Sequence, residues 1–229
     1  AVNIGQITAK WAGLDPARTA LVDVPCARRV SFGTLDERVR RLANALLDTG
    51  LAKGDRVAIL SRNAIEYYEV YYACARVGLI AQPLNWRLAV PELARIVADG
   101  EPGALVASSE CRATADGVAT DVPRRFEFGE GADGSYERLV ARGGSHEPPG
   151  SRTIGDDDPV LILYTGGTTG LAKGALHCHR SLFMGMLNQT VAERIVPSDV
   201  YMLTGQMFHI PVALAMNYMA HGCPVVLMN

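Results

Sequence analysis

The sequence predicts an α/β fold of largely parallel sheets covered by helices. Three observations carry that prediction. Amphipathic stretches of helical period alternate with short apolar runs along most of the chain. Several of those runs, residues 57–60, 104–107 and 160–163, contain no polar residue, as strands buried on both faces require. Hydrophobic residues make up 48% and charged residues 20% of the 229, an ordinary globular balance.

The clearest helix covers residues 34–47. Thr34 and Glu37 have capping-box spacing, Leu35, Val39, Leu42 and Leu46 share a face, and Gly50 is placed to end it. Lys53-Gly54-Asp55 turns the chain into a buried strand at 57–60. Residues 61–63 cap a second helix running through Tyr67 and Tyr71 toward Gly78. Residues 79–81 form the next strand, closed by Pro83. Pro91 opens a helix containing Leu93, Ile96 and Val97, and residues 104–107 form another strand. Residues 111–158 carry the weakest pattern, and residues 142–150 read as an exposed linker. Asp156-Asp157-Asp158 reads as a solvated surface run, with a metal site as the minor alternative. After a strand at 160–163 the expected order is a short strand at 175–177, a helix at 180–193, a strand at 200–203, the helix Pro211–Ala220 and a strand at 225–228. This gives an α/β subdomain over residues 1–158, with its linker near 142–158, followed by a second unit over 159–229. A chain that stops on a buried strand is expected to be a fragment.

Twenty-two basic and 24 acidic residues give a formal net charge of −2, which offers nothing to nucleic acid or to an anionic membrane. The five cysteines are odd in number and lack C-x-x-C spacing, so free thiols in a reducing cytoplasm are expected. Residues 207–228 are interrupted by His209, Pro211, Asn217, His221 and Gly222, so no integral membrane segment is expected. His177-Cys178-His179 lacks a neighbouring fourth ligand, and no metal site is assigned to it.

One segment carries the chemistry. Tyr164-Thr165-Gly166-Gly167-Thr168-Thr169-Gly170-Leu171-Ala172-Lys173-Gly174 holds four glycines, three threonines and one lysine directly after an apolar strand. Glycines let backbone N–H groups approach a ligand, hydroxyls add donors and Lys173 adds a fixed charge, which together make a phosphate cradle. Lys173 lies between Ala172 and Gly174, which breaks the Walker pattern, and adjacent Gly166 and Gly167 break G-x-G-x-x-G.

The segment instead resembles the signature loop of the adenylate-forming superfamily: acyl-CoA synthetases, aryl-CoA ligases, luciferases and amino-acid-activating domains. Gly166 stands where Ser is usual and Ala172 where Pro is usual, which loosens the loop but keeps its lysine. The likeness extends to residues 30–35, to residues 74–88 with Asn85-Trp86-Arg87-Leu88, and to Gln206-Met207-Phe208-His209-Ile210, which is similar to the segment bordering the carboxylate pocket. The resemblance implies the N-terminal portion of the acyl-CoA synthetase/luciferase-like fold, cut short before the rest of the large domain and the C-terminal lid domain. It implies an AMP-forming acid–thiol ligase that is inactive as this portion alone. ATP, Mg2+ and coenzyme A would be the cosubstrates, and a small-molecule carboxylic acid the substrate. Thr165, Gly166, Gly167, Thr168, Thr169, Gly170 and Lys173 would bind the phosphates. Lys173 would also serve catalysis, as would His209. Amino-acid-activating domains usually carry aspartate at the His209 position, so histidine points to an uncharged fatty or aryl acid. Three readings stay open beside this one: a histidine satisfied by a core hydrogen bond, a non-catalytic nucleotide- or acyl-binding module, and an amino-acid or aryl-acid adenylating enzyme. A homodimer also stays open.

Overall fold

The parallel pairing follows from the helices that separate successive strands. In a computed structural model, which describes residues 2–165 and 172–228, a 3-10 turn (Ile4–Gln6) and α1 (Ile7–Leu14) lead into β1 (Thr19–Asp23) and β2 (Arg28–Ser31). Then come α2 (Phe32–Asp48), β3 (Arg56–Leu60), α3 (Ile65–Val77), β4 (Ile80–Leu84), α4 (Val90–Gly100) and β5 (Ala104–Ser108). Next are α5 (Arg112–Val118), β6 (Arg125–Phe128), α6 (Ser135–Arg142), β7 (Pro159–Thr165) and β8 (Lys173–Cys178). The last elements are α7 (His179–Glu193), β9 (Tyr201–Leu203), α8 (Pro211–Ala220) and β10 (Val225–Leu227).

Six strands form one sheet in the order β6-β5-β3-β4-β7-β8. The first five run parallel, because helical crossovers return the chain to the same edge, and only β8 is antiparallel. The second sheet has the order β2-β1-β10-β9, parallel except for the β1–β2 hairpin. Both sheets take strands from either side of residue 158, so the expected divide there does not separate one sheet from another.

Burial on both faces shows in β3. Val57 and Ile59 join a core that includes α2 and α3, while Ala58 and Leu60 join a second core with Leu93, Ile96 and Val97 of α4. All of α3 is buried. Its tyrosines reach both ways: the Tyr67 hydroxyl donates to Ser61 O (3.4 Å) and that of Tyr71 to Met207 O (2.9 Å).

Several local expectations are corrected. The N-cap of α2 is Ser31, whose hydroxyl accepts from Thr34 N (3.2 Å), and Glu37 pairs with Arg41 instead of closing a capping box. Residues 61–63 do not cap α3: its N-cap is Ala64, with no side-chain bond. Pro83 lies inside β4, one residue before its end. Residues 111–158 contain β6, which extends the sheet, and two helices. The expected linker at 142–150 is a strap docked on α2: Asn44 Nδ2 donates to Gly144 O (2.7 Å) and His146 O (3.0 Å). A Cβ on Gly143 would stand 1.9 Å from Arg41 O, so only glycine permits that approach. The Asp156–Asp158 run is bonded rather than merely solvated, since Asp156 accepts from Val2 N (2.5 Å) and Asp158 from Lys53 Nζ (2.6 Å). No group of three His, Cys, Asp or Glu side chains suited to a metal occurs among the described residues. No described helix is long and apolar enough to cross a membrane.

Candidate active site

The glycine- and threonine-rich segment begins where β7 ends. Register pairs Tyr164 with Gly174 and Thr165 with Lys173, so the last residue of one strand faces the first of the next. The Thr165 hydroxyl donates to Lys173 O (3.4 Å), and both residues are exposed. They flank the base of the loop. Gly166, Gly167, Thr168, Thr169 and Gly170 lie outside the described residues. Gly174 has a packing reason: a Cβ there would stand 2.7 Å from Ile162 Cδ1 and 3.2 Å from the Tyr164 ring. That ring's hydroxyl donates to Asp99 Oδ2 on α4 (2.7 Å). Burial, with the Asp99 carboxylate beside it, pushes the phenol pKa up, so Tyr164 stays a donor at neutral pH.

Parallel strands deliver their following residues to one edge. Residues 61–63 after β3, Asn85 and Trp86 after β4, and Thr165 at the end of β7 therefore lie at one edge. In open α/β sheets that carboxyl edge is where ligands bind. The second sheet brings its own carboxyl ends to the same place. Asn63 Nδ2 donates to Gly205 O and Met228 O, each at 2.9 Å, and Asn63 Oδ1 accepts from Met207 N at 2.9 Å. Trp86 Nε1 donates to Gln206 Oε1 (3.0 Å), and the guanidinium groups of Arg62 and Arg87 lie 4.7 Å and 5.2 Å from the Trp86 ring centre. Sequence reasoning missed the Asn63, Trp86 and Gln206 bonds. The only signal was polar side chains at strand ends, which fit a cap equally well.

His209 sits in the exposed turn before α8, and its Nδ1 accepts from Ile210 N (2.8 Å). The proton of the neutral ring is thereby assigned to Nε2, which is left for other partners. The histidine is not held by a core hydrogen bond. Of the residues beside it, Val212 and Met216 belong to the hydrophobic core, whereas Ile210 is exposed. His179, by contrast, is fully buried, and its Nδ1 accepts from Ile4 N (3.1 Å). Burial lowers its pKa to about 4.

The family model of the AMP-binding enzymes matches residues 8–229. Over 210 residues the chain is 31% identical to the long-chain-fatty-acid–CoA ligase FadD13 of Mycobacterium tuberculosis, covering 91% of this chain and 41% of that protein. It is 36% identical over 211 residues to the indoleacetate–CoA ligase of Aromatoleum aromaticum, with 88% and 40% covered. The N-terminal domain of FACL13 from M. tuberculosis superposes with a TM-score of 0.91 at 26% identity, over all of this chain and 57% of that one. The chain spans about two fifths of the length of these curated relatives. With a family match over nearly its whole length and the adenylate-forming N-terminal fold, the chain belongs to the AMP-binding enzyme family.

Proposed function

We propose that the protein containing this chain activates a fatty or aryl acid, whose chain carries no charge beyond the carboxylate, with ATP and transfers it to coenzyme A. In the first step a carboxylate oxygen attacks the α-phosphorus, the bond to the β-phosphate bridge breaks, and acyl-adenylate and pyrophosphate result. In the second, a coenzyme A thiol that gives up its proton attacks the acyl carbon, and AMP leaves. The carrying observation is the β7–β8 register, which sets Lys173 and Thr165 at the base of the glycine–threonine loop on the carboxyl edge of the sheet. A cation and hydroxyls there suit the negative charge of the β- and γ-phosphates and of the departing pyrophosphate. Magnesium would be held chiefly by the phosphates, with few protein ligands. His209 supplies no permanent negative charge for a substrate ammonium, which favours an uncharged acid over an amino acid. The names of the relatives, ligases of long-chain fatty acids and of indoleacetate, support the same class. We place the reaction in the cytoplasm, where the five cysteines, all free among the described residues, would stay reduced.

The test uses the full-length protein and carboxylate-dependent ATP–pyrophosphate exchange over fatty, aryl and amino acids. Exchange is expected only with acids whose acyl or aryl chain is uncharged. Lys173→Ala should slow it about 30- to 1,000-fold, the loss of about 2–4 kcal/mol of transition-state stabilisation. Absence of exchange with every acid, or an unchanged rate in the variant, would overturn the assignment.

A further inference from the structure

We infer that Asn63 is a positioning residue for the carboxylic acid, acting through the segment that carries His209; this rests on the ligase reading above. Residues 205–211 form a loop with a closed root and an open tip. At the root, a Cβ on Gly205 would stand 2.5 Å from Pro211 Cγ, so the two ends of the loop touch. Met207 is fully buried and held on both sides of its backbone: its N–H by Asn63 Oδ1 and its carbonyl by the Tyr71 hydroxyl, each at 2.9 Å. Gln206 is held by Trp86. Two residues beyond Met207, His209 is exposed; its backbone joins the turn, donating to Gln206 O (3.2 Å) and accepting from Val212 N (3.2 Å), while its side chain bonds, among the described residues, only to the adjacent Ile210 N–H.

Asn63 is central to that root. Only 3% of it is exposed, and it spends both amide hydrogens and its oxygen on three backbone groups of the second sheet's carboxyl end. Its own position is set by the end of β3, in the six-stranded sheet. An amide is the required chemistry, because the site needs two donors and one acceptor on one short side chain. The strands that flank the phosphate-loop sequence are held separately, by the β4–β7 and β7–β8 pairings and by Tyr164 on Asp99. Releasing the 205–211 root therefore misplaces the acid-facing tip and leaves Thr165 and Lys173, on the ATP-facing strands, where they were.

The experiment compares N63A, Y71F and N44A with wild type in the full-length protein. Asn44 is the matched control, buried and likewise bonded to two backbone carbonyls, but on the strap against α2. Apparent KM values for the acid and for ATP come from pyrophosphate exchange, and amide hydrogen exchange is read at Met207. N63A should raise the acid KM at least about tenfold, keep the ATP KM within about twofold, and speed exchange of the Met207 amide. Y71F, which removes a single bond and preserves core shape, should raise the acid KM by a few fold. N44A should lower the melting temperature and leave both KM values. An active wild type whose N63A and Y71F variants shift both constants alike, or neither, refutes the Asn63 assignment alone. A wild type without exchange on any acid refutes the ligase reading, and the Asn63 assignment with it.

Discussion

A guanidinium with no access to water must find its partners inside the protein. Arg76 is fully buried on α3. Its Nε and Nη2 both donate to Gly5 O (3.0 and 2.7 Å), and Nη2 also donates to Thr8 Oγ1 (2.8 Å) and Asp36 Oδ1 (2.7 Å). The 3-10 turn lies flat on α3 at this point, since a Cβ on Gly5 would stand 2.4 Å from Arg76 N. One side chain thus joins the N-terminal turn, α1, α2 and α3. Arg76→Met should cost about 3 kcal/mol, because it strands the Gly5 carbonyl and breaks a buried ion pair. The melting temperature should drop by about 6–12 °C; a drop under 2 °C would show the network to be dispensable. In the sequence Arg76 is one more residue on an apolar helix. Its partners lie 40 to 71 positions away, and no local pattern encodes such a distance. The reading of Lys173, by contrast, rests on a local signal: a charge among glycines and threonines directly after a strand.

At the scale of elements, α8 carries the predicted bounds Pro211–Ala220 and α7 begins one residue early. Helices are legible because their period, caps and breakers lie within a few residues of one another. Their ends are less so, and α2 shows why. Ser31 and Thr34 are both good capping residues, and only the backbone decides between them: Ser31 is extended at ψ 163°, and its oxygen meets Thr34 N. Ser31→Ala should therefore lower stability by about 1 kcal/mol, a melting shift of about 2–4 °C. Thr34→Ala should stay within about 0.5 kcal/mol. Equal losses in thermal melts of the two variants would contradict the assignment of the cap to Ser31. The segment at 142–150 is largely exposed, as a linker would be, but its docking on α2 was not foreseen, for a related reason. Its glycines and prolines look like those of a free linker, and what docks it is Asn44, about a hundred residues earlier.

At the scale of the molecule, the alternation of helix and strand was legible but strand partnership was not. β1 pairs with β10, across two hundred residues, and the candidate site forms only where the carboxyl ends of the two sheets meet. His179 is a second long tie: at the start of α7 it accepts a hydrogen bond from Ile4 N, 175 positions away. Full burial disfavours the charged ring and lowers its pKa from an ordinary 6.5 to about 4, against the opposing pull of the Asp158 and Asp156 carboxylates. The sign follows from linkage. Below pH 6.5 the unfolded chain takes up a proton that the folded chain refuses, so this contribution is complete above pH 6.5 and is lost as pH falls toward 4. Glu66 acts in the opposite direction, since burial, reinforced by the nearby Glu69 charge, raises its carboxyl. A wild-type curve alone would therefore mix the two. His179→Asn isolates the histidine, because its side-chain oxygen can accept from Ile4 N in place of Nδ1 and does not titrate. Melting temperatures from pH 7.5 to 4.5 should fall more steeply for wild type than for the variant, with the curves diverging below pH 6.5. Parallel curves would mean that His179 takes up its proton as readily in the folded protein as in the unfolded one, and that the contact between α7 and the N-terminal turn does not depend on a neutral ring.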